Sequence, residues 1–261
     1  TIFSSLMNLD VSHLFQSLYM EGGKNFYCYN GASPLPSAMF SVKYMLSSNP
    51  VDESPLRTLV GSSNGNYLYR NNYCLPLGYM MSEKAIKGWE SSMLDRIGSL
   101  NSLAQQLGAK GDMLYPAACT QSQAAGDTTI DISEDGYYYA DYVTCNADSL
   151  TVSRDDGWTQ QYGKTTHRYL LDLGECKAGT KIHITNLNVE TIEYHVYRLN
   201  FKAMCTAYET LSEQTMSLEK MTDRRIVGSI DVRQAGRLIL SVPADEGWTL
   251  YVDGKKTKIK P

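Results

Sequence analysis

The side chains capable of acid–base, nucleophilic or metal chemistry are scattered along this sequence rather than framed. Four histidines (His13, His167, His183 and His195) stand outside any HExxH-type frame. Six cysteines (Cys28, Cys74, Cys119, Cys145, Cys176 and Cys205) show neither CxxC nor the spacing of a zinc site. They read as buried thiols, with at most one disulfide if the surroundings are oxidising. No GxSxG, P-loop or GxGxxG occurs, so hydrolase, nucleotide and dinucleotide readings have no anchor. Two carboxylate pairs, Glu134-Asp135 and Asp155-Asp156, have the proximity that a glycosidase or a calcium site would use. Each runs directly into a glycine, however, and Asp-Gly is turn chemistry first. No catalytic, cofactor-binding or metal-binding residue is assigned. The candidates for ligand contact are aromatic, because ring faces pack on the apolar face of a pyranose. Trp158, beside the Asp156-Gly157 turn, is expected to be exposed. Tyr138 lies in the run Tyr137-Tyr138-Tyr139, where alternation turns rings to opposite faces. Trp248 is expected in a core, on one strand face with Leu250 and Val252.

The elements that must hold these residues change character along the chain. Asn8 is a good N-cap for Val11, Leu14, Phe15 and Leu18 at helical spacing, with Gly22-Gly23 as the stop. Ser33-Pro34-Leu35-Pro36 starts a second helix with proline in its first turn, feeding a strand from Val42 to Leu46. Residues Ser47 to Pro55 read as loop. Tyr67 to Arg70 and Leu77 to Met81 read as strands around Asn71-Asn72. Trp89, Met93, Ile97, Leu100, Leu103 and Leu107 predict one amphipathic helix ended by Gly108. Composition then shifts near Pro116 to Gly126, and strands dominate from Thr128 to Leu199. One helix follows, from about Phe201 to Gln214, and three further strand segments close the sequence. Asp253-Gly254 is its strongest hairpin signal. The fold class is α+β: a mixed α/β subdomain over 1–120, then a jelly-roll-like β-sandwich over 127–261 with one inserted helix.

Bulk properties narrow the class. With 261 residues, 43% hydrophobic and 20% charged, the chain can bury a real core and is not disordered. The net charge is −4, and among 24 basic residues only Lys255, Lys256, Lys258 and Lys260 cluster, which argues against nucleic acid. Nineteen tyrosines against five phenylalanines suit strands that are half apolar and half hydrogen-bonding. No apolar run is long enough to span a bilayer, so the chain is expected to be water-soluble. Neither end reads as a natural terminus: the first residue is not Met, and the last strand stops abruptly. A piece cut from a longer protein is expected.

Four segments in order resemble the YfhO family of bacterial membrane proteins. They are Phe3-Ser4-Ser5 with Asn8; Tyr29 to Met39 leading into Ser41 to Leu46; Leu68 to Met80; and Leu238 to Pro243 with Gly247 to Lys255. The resemblance implies a large extracytoplasmic region of a polytopic, GT-C-type glycosyltransferase in the cell membrane. Such proteins are implicated in decorating teichoic acids of Gram-positive bacteria from a lipid-linked sugar. Their catalytic carboxylate sits in a loop near the first membrane spans, which has no counterpart here. The fragment is therefore expected to be accessory, without cofactor, partnered by the transmembrane part of the same protein and by a cell-envelope glycopolymer. A carbohydrate-binding module and a purely structural or interaction domain are the alternatives. The charge of −4 does not favour a polyanionic acceptor, so an acceptor site would have to be a local basic patch.

Overall fold

The computed structural model describes residues 8–143, 145–188 and 191–260, so the segment Phe3-Ser4-Ser5 lies outside the described residues. The Asn8 side chain caps α1 (Leu9–Ser17), accepting from the backbone N–H groups of Asp10 and Val11 at 3.1 and 3.2 Å. The helix closes at Ser17, and the two glycines form β1 (Gly22–Gly23), paired with β2 (Phe26–Tyr27). α2 (Pro34–Met39) carries proline in its first turn and is buried throughout. Ser41, at φ +57°, turns the chain into β3 (Tyr44–Ser47).

β3, β4 (Arg57–Ser63) and β5 (Asn66–Asn71) form a small antiparallel sheet in the order β3-β5-β4. The strand expected around Tyr67 is thus real, but it does not pair with β6 (Gly78–Met81) through a turn at Asn71-Asn72. Those two asparagines instead donate their side-chain amides to the carbonyls of Val42 and Pro55 at 2.7 and 3.2 Å, tying β5 to its own sheet.

The single helix expected from Trp89 to Leu107 is two: α3 (Glu83–Gly88) and α4 (Arg96–Gln106). Competing caps explain the break. Ser92 accepts from the Leu94 and Asp95 amides, and Asp95 caps the second helix through the Gly98 amide at 2.9 Å. Trp89 still reaches the same core from the linker, its indole N–H donating to the Ser99 carbonyl at 2.9 Å.

The sandwich follows: β7 (Leu114–Pro116), β8 (Cys119–Ala124), β9 (Asp127–Ile132), β10 (Gly136–Tyr142), β11 (Ser149–Arg154), β12 (Thr159–Gly163), β13 (Leu171–Cys176), β14 (Lys181–Thr185) and β15 (Tyr194–Leu199). One sheet runs β13-β10-β15-β7 and the other β12-β11-β14-β9-β8, all pairs antiparallel. The strands are distributed between the two sheets in jelly-roll order, β11 and β12 staying neighbours in one sheet, with β8 added at one edge. The α+β class and the sandwich are as the sequence predicts. β7, β8 and β12 are additional: β8 and β12 are too polar and too exposed for a hydrophobic pattern to mark them.

After the sandwich, α5 (Phe201–Ser212) packs against α2 and α4, not between the sheets. The later strands also lie outside the sandwich. β16 (Ser217–Thr222) and β17 (Arg225–Ser229) form an exposed hairpin. β18 (Arg237–Leu240) returns to pair with β6, and β19 (Leu250–Val252) and β20 (Lys255–Thr257) form a two-stranded hairpin. Asp253 and Gly254, at φ +49° and +75°, make the tight turn expected there.

Two cores result. The first joins Leu18, Leu35, Leu100, Leu103, Met204 and Leu211; the second fills the sandwich with Ile130, Tyr138, Leu150, Leu171 and Ile182. Cys145 and Cys176 are buried thiols, and burial raises the Cys176 pKa to about 11. Three segments that carry the family resemblance meet at one knot of the first core. The Ser241 hydroxyl donates to the Met39 carbonyl at 2.7 Å and lies 2.9 Å from the Ser41 hydroxyl, while its amide donates to the Leu77 carbonyl at 2.9 Å.

Trp248 belongs to neither core, which corrects the expectation for it. It is half-buried ahead of β19, and Val252 on the same hairpin is 47% exposed. A two-stranded hairpin has no opposing sheet to bury an apolar face against. Trp248→Ala should therefore cost only about 1 kcal/mol in urea denaturation. Leu100→Ala, in the first core, should cost about 2–5 kcal/mol. Equal losses would return Trp248 to the core.

Candidate functional site

Strand β10 is buried on both faces, and the candidate site follows from that. Alternation sends Tyr138, Ala140 and Tyr142 into the sandwich and Tyr137 and Tyr139 into the first core. The neighbouring stretch 170–173 is split likewise, with Leu171 and Leu173 in the sandwich and Leu170 in the first core. Asp172 therefore faces the seam between the two cores, where a carboxylate must be paired.

Its partner comes from β4. Arg57 Nη2 donates to Asp172 Oδ2 at 2.7 Å and to the Tyr137 hydroxyl at 2.7 Å, and Tyr137 in turn donates to Asp172 at 2.8 Å. The two charged side chains are only 12% and 27% exposed. Burial alone would lower the Arg57 pKa, but Tyr137 and Asp172 outweigh it and hold the guanidinium charged.

A second tie crosses the same seam. Arg154, 3% exposed at the end of β11, makes paired bonds to Asp52 at 2.6 and 3.0 Å and another to Asp156 at 3.0 Å. It also donates to the carbonyls of Leu173 and Glu175 at 3.3 and 3.1 Å. Gly174, at φ +80° in the bulge of β13, makes room for this: a Cβ there would lie 2.7 Å from Arg154 Nη1. Glu21, 1% exposed, supplies a third tie to His167 Nδ1 at 2.7 Å.

Between the ties lies a cavity of about 250 Å³. Its walls bring together segments far apart in sequence: Tyr29 and Tyr73 from the mixed half, and Tyr139, Trp158 and Tyr162 from the sandwich. Arg57, Asn71, Gln160 and Asp172 are among its polar side chains. Trp158 is half-buried rather than exposed as expected, with the Arg154 guanidinium 4.6 Å from its ring centre. Tyr138 is corrected. It is wholly buried in the sandwich, its hydroxyl donating to the Glu134 carbonyl at 2.6 Å, and offers no face to a ligand. The neighbouring Tyr139 lines the cavity instead, on the opposite face of the same strand.

The remaining polar candidates serve structure. Glu134 pairs with Arg198, while Asp135 pairs with Lys177 at 3.1 Å and accepts from the Ala178 amide at 2.9 Å. Asp156 accepts from the Trp158 amide at 2.9 Å, closing its turn. His183 meets Thr129 at 3.1 Å across the sheet, and His195 meets Glu193 at 3.2 Å. Among the described residues no group of three or more His, Cys, Asp or Glu side chains is arranged to hold a metal ion.

Arg57, Gln160, Tyr162 and Asp172 went unmarked in the sequence. One signal was present: Asp172 interrupts the apolar run Leu170-Leu171-Asp172-Leu173, and a charge inside a buried strand needs a specific partner.

The jelly-roll sandwich is thus roofed on its outer face by a mixed α/β unit, with an aromatic-lined cavity in the seam. The family model described as "Bacterial membrane protein YfhO" matches residues 1–261, and the chain belongs to that family. No curated protein and no solved structure matches it. Among the described residues no helix is long and apolar enough to cross a membrane.

The seam tyrosines set a pH limit. Burial, reinforced by the Asp172 charge, pushes Tyr139 and Tyr162 well above their ordinary value of 10.0, and burial does the same for Tyr137. A raised folded pKa means that this contribution to stability is complete below about pH 10 and is lost as pH rises further. Tyrosinate absorbance from these rings should therefore appear only together with loss of near-UV circular dichroism. Full tyrosine ionisation in a native protein would contradict the burial.

Proposed function

We propose that this chain is the extracytoplasmic, non-catalytic part of a membrane-bound glycosyltransferase that decorates cell-envelope polymers such as teichoic acids from a lipid-linked sugar. Family membership supports the membrane setting. The observation that carries the accessory role is the chemistry of the seam cavity. Its one carboxylate, Asp172, is locked to Arg57 at 2.7 Å, and no histidine or second carboxylate lines the walls. Glycosyl transfer or hydrolysis by a protein side chain needs a carboxyl free to trade a proton, or two carboxyls facing one bond. A carboxylate held by a guanidinium does neither. Binding energy is what such a cavity can contribute: it would steady a glycosyl unit near a catalytic centre elsewhere in the protein.

Incubated with a polyprenyl-phosphate sugar and teichoic acid, the purified chain should release no free sugar and form no glycosylated polymer. Membranes carrying the full-length protein should form the product, and the same membranes lacking it should not. Turnover by the chain alone would overturn the accessory reading. No difference between the two membrane preparations would overturn the transferase reading.

A further inference from the structure

We propose that the outer face of the small sheet β3-β5-β4 rests on an anionic lipid surface. This goes beyond the transferase reading and does not depend on it, since it needs only membership of a membrane-protein family. Register fixes which residues share that face, because residues opposite each other on antiparallel strands point to the same side. Tyr44 lies opposite Arg70, and Leu46 opposite Leu68. The bulge between Leu59 and Gly61 leaves Val60 and Gly61 together opposite Leu68. Met45, Arg57 and Asn71 take the other face, where they line the cavity.

The outer face is apolar where water reaches it. Leu46 is 69% exposed, Val60 54% and Tyr44 52%. Leu46 also borders the cavity, but most of its side chain stays outside. Large apolar side chains gathered on one sheet face mark an interaction surface, whereas singly scattered ones do not.

Charge selects the partner. The chain as a whole carries −4, yet residues 42–47 and 58–71 contain no Asp or Glu, and their two charges, Lys43 and Arg70, are both basic. The Lys43 ammonium lies 5.5 Å from the Tyr44 ring centre, and Arg70 stands opposite Tyr44, so both cations flank the apolar row at one end. At the other end, the β4–β5 turn from Ser62 to Asn66 is small, polar and uncharged, and residues 59–66 are all exposed. A bilayer interface takes these chemistries together. Rings and cations sit among the headgroups, long basic side chains reach the phosphates, and the aliphatic row dips beneath them. The nearest acid in sequence, Glu53, is held at the edge strand β4 by the Leu59 amide at 2.9 Å. The other exposed hairpins are less suited. Glu219 and Asp223 accompany the exposed Leu218 and Met221 on β16–β17, and Asp253 occupies the β19–β20 turn. An anionic surface repels such carboxylates.

The test is co-sedimentation of the purified chain with vesicles of pure phosphatidylcholine, or of phosphatidylcholine mixed with phosphatidylglycerol. The chain should bind the anionic vesicles at least tenfold more tightly than the neutral ones, and high salt should release it. Lys43→Gln combined with Arg70→Gln should remove that preference, at about fivefold per charge. Leu46→Ser combined with Val60→Ser should weaken binding at least threefold. All four positions are exposed, so both variants should melt with the parent. Arg224→Gln combined with Arg225→Gln takes the same charge from the exposed β16–β17 hairpin and should bind as the parent does. Three results would overturn the proposal: no preference for anionic vesicles, equal losses from the two charge variants, or full binding by the Leu46 and Val60 variant. A parent chain that is dimeric in analytical ultracentrifugation, and is made monomeric by that last variant, would assign the face to a second copy and overturn it as well.

Discussion

The pairing of Arg57 with Asp172 is the constraint from which the site derives. Asp172 sits on the face of the sandwich that the mixed α/β unit covers, and a bare carboxylate there would be intolerable. Arg57 answers it from the small sheet β3-β5-β4, so charge neutralisation fixes where that sheet docks. Arg154 with Asp52 repeats the device along the same seam, and His167 and Glu21 add a hydrogen bond there. Buried ion pairs contribute little net stability, because desolvation offsets attraction. They do punish misalignment, since a shifted unit would leave each charge alone. The seam is therefore defined by polar matching, while each core is held together by apolar burial.

A cavity at such a seam follows from the geometry. The sandwich face is ribbed with tyrosines, and the covering unit meets it through loops and a small sheet rather than through a flat apolar surface. Gly31 brings the Tyr29–Met39 segment close against Tyr19 and Leu170: a Cβ there would come within 2.6 Å of the Tyr19 carbonyl oxygen. That segment thus does two jobs. Its helix, α2, is buried in the first core, and its leading residues form one wall of the cavity.

Much of the fold was legible in the sequence because apolar periodicity and caps act locally. Asn8, Pro34, the alternating strands from Thr128 to Leu199 and the Asp253-Gly254 turn all announce themselves within a few residues. What was hidden depended on distant partners. The long helix broke because Ser92 and Asp95 form caps that outcompete a continuous hydrophobic stripe. β5 and β6 did not form a hairpin because β6 finds β18, far along the chain. The terminal strands looked like sandwich strands, yet the jelly roll is already filled by β7 to β15. The site was only half visible. Trp158 stands out as an aromatic beside a turn, whereas the run Tyr137-Tyr138-Tyr139 does not show that Tyr139, and not Tyr138, is the ring at the cavity. Period-two alternation gives the two residues opposite faces, but a sequence does not say which face carries a cavity.

The central claim is that Arg57 and Asp172 act as one unit across the seam, and a double-mutant cycle tests it most directly. Arg57→Ala, Asp172→Ala and the double variant would be compared with the parent by urea denaturation. The account predicts that the two losses are not additive, with a coupling of about 0.5–3 kcal/mol, because whichever partner remains is left buried and unpaired. Additive losses would contradict it, and would mean that the two charges face solvent rather than each other.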